Sequence, residues 1–406
     1  MSLIRTRRLT VALAVMLAAG SSLAAELSGY SRLPSGALVA GPDSGQFITA
    51  PEGISTPFRG QVAQGFSAII ADGRGGFIAL TDNGFGTREN SRDFVLRLYF
   101  LDPAFRTASG GLGQVQIDGF IGLSDPERRM PHKIMADREC YDSESPCRQV
   151  GRRIRSNRLL TGADLDPESL QPGRDGTFWI GDEFGPYILH FGSEGELLTP
   201  PFTLEGLRSP QRLPQAPEAV TVRTSKGFEG MARGPFGDRL YPMLEGPLSD
   251  REGEVPIYTF NIPGGKFINR RPDEPSLRYP LDEEGGAIGA FKLYSAMAGL
   301  VIERDSGEGK DARFKKIFRI AFDHVDEEGL LIKEEIVDLL DLEDPNDLNR
   351  DGDKRFSLPM STIEGLVIQG RNEIAVITDN NFPFGKARGT VPEDTEFVLI
   401  RVPDLW

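Results

Sequence analysis

Along most of the chain, apolar residues come in short runs closed off by Gly, Pro, Asp or Asn. Gly76-Phe77-Ile78-Ala79-Leu80, Val95-Leu96-Arg97-Leu98-Tyr99-Phe100, Thr177-Phe178-Trp179-Ile180, Ile188-Leu189-His190-Phe191 and Ile374-Ala375-Val376-Ile377 are of this kind. Their length, β-branched and aromatic content and punctuation predict strands. Two stretches carry helical spacing instead. In Leu330–Leu342 the apolar positions Leu331, Ile332, Ile336, Leu339 and Leu340 predict a helix, and a shorter one is predicted around Leu293–Leu300.

One phrase recurs. A turn is followed by an apolar run that ends in an acidic residue with Asn, Glu or Gly beside it. It reads Asp72–Gly84, Asp175–Gly185, Gly237–Gly246 and Gly370–Asn381, and three copies are preceded by the acidic phrases around Glu168, Glu229 and Glu364. An inner propeller strand needs this pattern, because it crosses an apolar core and delivers a polar end to a central channel. The expected fold is therefore an all-β propeller. At roughly 40–60 residues per blade six blades fit, or seven. A β-sandwich with long loops is the alternative. Residues 25–406 read as one domain, with Ser209–Ala216 as a surface loop rather than a linker.

Arg5, Arg7 and Arg8, the apolar stretch Val11–Leu17 and the small residues Ser22-Leu23-Ala24 read as a signal peptide over residues 1–24. Its apolar run is short for a membrane span; an uncleaved anchor is the alternative reading. No later segment approaches spanning length, so a periplasmic or secreted chain is expected. The full chain has 46 Lys and Arg against 60 Asp and Glu, a net charge of −14; losing three arginines in the leader brings it to −17. Nucleic acid is a poor partner for such a surface and cations are good ones. Cys140 and Cys147, the two cysteines, are close enough for a local disulfide.

The acidic strand ends supply Asp82, Asn83, Asp182, Glu183, Glu245, Asp379 and Asn380, with Glu168, Glu229 and Glu364 ahead of the strands. Carboxylates converging on one channel repel unless protonated or bound to a cation. Oxygen-only ligands suit Ca²⁺, and His132, His190 and His324 lack zinc-ligand spacing. A second candidate, Asp347-Leu348-Asn349-Arg350-Asp351-Gly352-Asp353, opens like an EF-hand loop but has Leu358 where a bidentate Glu is expected. An ordinary acidic turn is the competing reading there. No Gly-x-Ser-x-Gly elbow, phosphate loop or dinucleotide fingerprint is present.

The segments Thr81–Ser91, Leu160–Ser169, Trp179–Pro186, Gly227–Met231, Thr362–Leu366 and Thr378–Gly385 occur in order. On them the chain resembles the phytase-like family, known as esterase-like activity of phytase. That resemblance implies a propeller-like fold and phosphoester or ester hydrolysis. The corresponding expectation is a calcium-dependent hydrolase of a small anionic ester, active as a monomer. In it Asp82, Asn83, Asp182, Glu183, Glu229, Glu364, Asp379 and Asn380 gather the metal. Glu168 or Glu245 is the general base, and Arg88 and Lys226 orient the anion. A propeller lactonase with a central calcium and a non-enzymatic, calcium-stabilised binding propeller are the alternatives.

Overall fold

The structure, a computed structural model, describes residues 24–214, 220–389, 392–403 and 405; the leader expected over residues 1–24 lies almost wholly outside them. Strands dominate, and five antiparallel strand groups follow one another along the chain, the first and last joined into one sheet through the N-terminal strand. The first blade is Phe66–Ala71, Phe77–Thr81, Arg97–Ala104 and Gln114–Gly122. The second is Pro167–Pro172, Phe178–Asp182 and Tyr187–Phe191, fringed by bridges to Leu197 and Phe202. The third begins with Gly230–Arg233 and Arg239–Met243 and continues through Glu254–Ile257 and Leu277–Pro280. The fourth is Ala287–Leu293, Ala298–Arg304, Lys315–Val325 and Leu331–Asp338. The fifth is Thr362–Ile368, Glu373–Asp379 and Thr395–Arg401.

The first strands of the five groups lie side by side in a closed ring, the fifth against the first. This is a β-propeller, as expected, but with five blades among the described residues rather than six or seven. The estimate failed on spacing. Inner strands begin at residues 66, 167, 230, 287 and 362, so the chain travels further between blades than a minimal repeat requires. The ring is fastened by the N-terminal strand Glu26–Leu33, which pairs antiparallel with Thr395–Arg401 as the outer strand of the last blade. Pairing the two chain ends removes the exposed edges that an open array would leave.

Blades pack face to face, so their middle strands are buried on both sides. Phe77–Thr81 and Phe178–Asp182 are buried at every position, which is why they read as continuous apolar runs rather than as alternation. Phe66, Ile69, Tyr99, Ile377 and Phe397 fill the space between the first and fifth blades.

Both expected helices are strands or turns. Leu331–Asp338 is the outer strand of the fourth blade. Its register slips twice against Lys315–Val325, and a slipped strand spaces its apolar residues like a helix. Leu293 closes one strand and Ala298 opens the next, so the second supposed helix is a hairpin. Cys140 and Cys147 form the expected disulfide. His190 stacks on Trp179 with ring centroids 4.0 Å apart, inside the second blade.

Candidate metal centre

The inner strand of four blades breaks register at one residue near its start. The skipped residues are Ser67, Glu168, Gly289 and Glu364. A bulge leaves its residue out of the ladder and re-aims the side chain. In the third blade Glu229 stands immediately before the inner strand. Because the second strand runs antiparallel, its end lies beside the same level. That places Asp82, Glu183, Glu245 and Asp379 around the ring, and in the fourth blade Arg304. Two short backbone signals, a strand end in every blade and a bulge in four of the five, thus build a cup at one end of the axis.

The cup has a volume of about 270 Å³ and is lined by eight carboxyls, those of Asp82, Asp166, Glu168, Glu183, Glu229, Glu245, Glu364 and Asp379. Lys226 and Arg304 are its cations. Oxygens of Asp166, Glu168 and Glu183 lie within 4.8 Å of one another, as do those of Glu168, Glu229 and Glu364. Oxygens about 2.4 Å from a hard cation span that distance across it. Arg304 enters from the fourth blade, with Nη2 donating to Glu245 (2.9 Å) and Glu364 (2.8 Å) and lying 4.0 Å from Glu229. Glu229 Oε1 is buried without a hydrogen-bond partner among the described residues.

Burial is the chief cause of raised carboxyl pKa values here, and the neighbouring carboxylates add to it. Asp82, Glu168, Glu183 and Glu229 are held well above the usual range. Asp379 is pushed up to about 6 and Glu364 to about 8, the latter despite Arg304. Burial alone would lower Arg304, but Glu245, Glu364 and Glu229 more than offset it. A cup in which burial and mutual repulsion disfavour charged carboxylates is suited to a cation, and an all-oxygen donor set fits a hard one.

Not every expected residue faces the cup. Asp182, pushed up to about 7 by burial, accepts from the amides of Asp166 (2.8 Å) and Gly185 (2.7 Å); it braces Asp166 and is not part of the lining. Asn83 lines the cup, but its Oδ1 accepts from Gly86 N. Asn380 turns away and donates to Glu393 O. Glu245 is fixed by ion pairs to Lys226 and Arg304 on separate oxygens, which leaves no free oxygen for the base role considered for it. Lys226 lines the cup as expected. Arg88 does not: its guanidinium donates to the carbonyls of Ala163 and Gln211 and lies 3.7 Å over the Phe184 ring. Asp347, Asn349 and Asp351 sit in a separate surface loop, where Asp347 accepts from Gly352 N and Asp351 from Asp353 N. They are not gathered with the cup.

Sequence reasoning missed Asp166 and Arg304. Asp166 was present in the phrase around Glu168. Arg304 ends an apolar run as the acids do, but with the opposite charge.

A five-bladed propeller with a buried acidic cup on its axis is thus the class that fold and site define. The chain belongs to the phytase-like family, described as esterase-like activity of phytase, whose pattern matches residues 61–382. It is also similar to an uncharacterized secreted protein of Arthroderma benhamiae, 25% identical over 198 residues, or 39% of this chain and 38% of that protein. Among solved structures it is similar to the PQQ-bound aldose sugar dehydrogenase of Streptomyces coelicolor, at 11% identity, TM-score 0.38 and coverage of 84% and 94% of the two chains. A glucose dehydrogenase-type oxidoreductase of Thermus thermophilus gives 15% identity, TM-score 0.37 and coverage of 92% and 99%. The architecture rests on its own strand pairing and not on these likenesses. No helix among the described residues is long and apolar enough to cross a membrane.

Proposed function

We propose that this protein is an exported, calcium-dependent hydrolase of anionic esters, phosphoesters first, working at the axial cup. One observation carries the reading: eight carboxyls converge there, all but that of Asp82 buried, two groups of three of them within 4.8 Å. Asp166, Glu168 and Glu183 would hold the ion, because Arg304 already neutralises the side of Glu229, Glu245 and Glu364. Bound there, calcium supplies charge neutralisation and polarisation of the ester. Lys226 binds the substrate anion, held in place by Glu245. Ser225, Ser361 and Thr362 line the same wall and offer hydroxyls to its oxygens. Glu229, with an unpartnered oxygen beside Glu168, accepts the proton from the attacking water.

Export is supported by the leader-like first 24 residues and by the secreted relative. Removal after Ala24 would leave the closing strand, which starts at Glu26, intact. The mature chain from residue 25 is then a single domain and a monomer. The test is hydrolysis of an aryl phosphate and an aryl carboxylate ester by chelated and calcium-restored protein. Chelation should abolish turnover and calcium restore it. Full turnover by metal-free protein would remove calcium from the mechanism, and no turnover on any ester would remove the hydrolase.

A further inference from the structure

Between the end of the first blade at Gly122 and the start of the second at Pro167 the chain makes a long excursion. Residues 128–158 of it carry nine Lys and Arg against four Asp and Glu, a local charge of +5 on a chain of net −14. The excursion is anchored. Its short helix Arg152–Asn157 is pinned by fully buried Ile154, Asp164 accepts from Met135 N (2.7 Å), and Arg158 pairs with Asp137. Lys133, Arg138, Arg152 and Arg155 are exposed, and none has an ion-pair partner among the described residues. Surface cations held on a fixed frame without counter-charges form a patch that an anion can occupy.

The patch is concave. Lys133, Arg152 and Arg155 wall a cleft of about 1030 Å³ together with His132 and with Arg128 and Arg158, the last two paired to Asp137 in the same wall. Lys133 also borders a second cavity of about 520 Å³ that holds Arg88, Arg92 and Arg138, and Ser225 is common to that cavity and the cup. A basic path therefore leads from the outer cleft to the rim of the acidic centre.

We propose that this cleft docks an acidic polysaccharide, a chain of uronate or sulfated sugars. Guanidinium groups bind carboxylate and sulfate through paired hydrogen bonds, and several cations along one cleft suit a ligand whose charge repeats along a chain. Gln149 and Ser156 offer hydrogen bonds to sugar hydroxyls. Nucleic acid fits less well: no Phe, Tyr or Trp lines the cleft to stack a base, and the rest of the molecule repels a long polyanion of that charge density. The docking site does not depend on hydrolysis at the cup. It would hold the protein on an anionic matrix, with the basic path leading side groups of the polymer toward the centre.

The test uses the mature chain with oligogalacturonate and heparin oligosaccharides, and with neutral dextran and a single-stranded oligonucleotide as comparators. At low salt at least one acidic saccharide should bind, with affinity falling as salt rises. The exposed pair Arg152→Glu/Arg155→Glu should weaken binding about tenfold or more, with Lys133→Glu as an independent second variant and thermal melts reporting folding. Glu229→Gln in the cup should leave saccharide binding unchanged, which separates this site from the hydrolase reading. The uronate and sulfate arms tell which acidic group is preferred. Absence of saccharide binding, equal binding by folded charge-reversed variants, or equal affinity for dextran or the oligonucleotide would overturn the proposal.

Discussion

Arg304 occupies the fourth blade's place at the cup, where the other four put Asp or Glu. Its guanidinium acts as a built-in cation for Glu245 and Glu364, so the protein itself neutralises one half of the cup, and the proposed metal belongs to the other. Replacing it as Arg304→Gln leaves buried Glu364 unpaired and Glu245 with Lys226 alone, which should cost the metal-free protein about 3–5 kcal/mol. Calcium should recover much of that loss, with an additional ion counted by titration calorimetry, whereas Arg304→Lys keeps the original count. An unchanged ion count in Arg304→Gln would mean the guanidinium does not stand in for a cation. For Glu229→Gln the expectation is different: calcium stoichiometry holds while turnover falls about 10²–10⁴-fold, checked by pairing calorimetry with initial rates. At this scale Asp82, Glu183, Glu229, Glu364 and Asp379 were legible in the sequence, because acids closing apolar runs repeat. Arg304 was not, since a search for like charges passes over the one residue that balances them.

The register break, present in four of the five inner strands, helps turn similar strands into one centre. Ser67, Glu168, Gly289 and Glu364 hold corresponding positions, and only two of them carry a carboxylate. Gly289 has a structural reason: a Cβ there would lie 2.2 Å from the carbonyl oxygen of Ile363 in the next blade. Gly289→Ala must push the fourth and fifth inner strands apart. It should destabilise by roughly 1–3 kcal/mol, read as a lower urea midpoint, and should disturb Glu364 one residue along. A variant as stable as the parent would show that the strands can separate without loss. Strands buried on both faces were easy to read as continuous apolar runs. Bulges were not, because the skip is a property of pairing between strands; the same slippage in Leu331–Asp338 gave that strand its false helical spacing. The blade count was lost for a related reason, since the excursion between Gly122 and Pro167 lengthens one interval without adding a blade.

For the whole molecule, the cup joins stability, pH and metal in one balance. In an unfolded chain its carboxyls titrate near 4. In the folded chain burial pushes Asp379 up to about 6, Asp182 to about 7 and Glu364 to about 8. Between pH 4 and 7 the metal-free folded state therefore holds more protons than the unfolded state, and its stability falls as pH rises. Two groups oppose the trend inside that interval, His132, lowered to about 4 by burial, and His190, also lowered by burial, but the raised carboxyls outnumber them. Asp305, beside Lys315, is lowered and acts at more acid pH, and the buried amine of Lys292, depressed to about 7, begins to oppose the trend only above it. Calcium competes with the same protons, so its affinity rises over this interval. The melting temperature of chelated protein should thus decline from pH 5 to 7, while that of calcium-loaded protein declines less or rises, and the two curves spread apart. A chelated protein that grows more stable from pH 5 to 7 would mean that the carboxyls are ionised and balanced by Arg304 and Lys226 alone, leaving the cup no need of a metal.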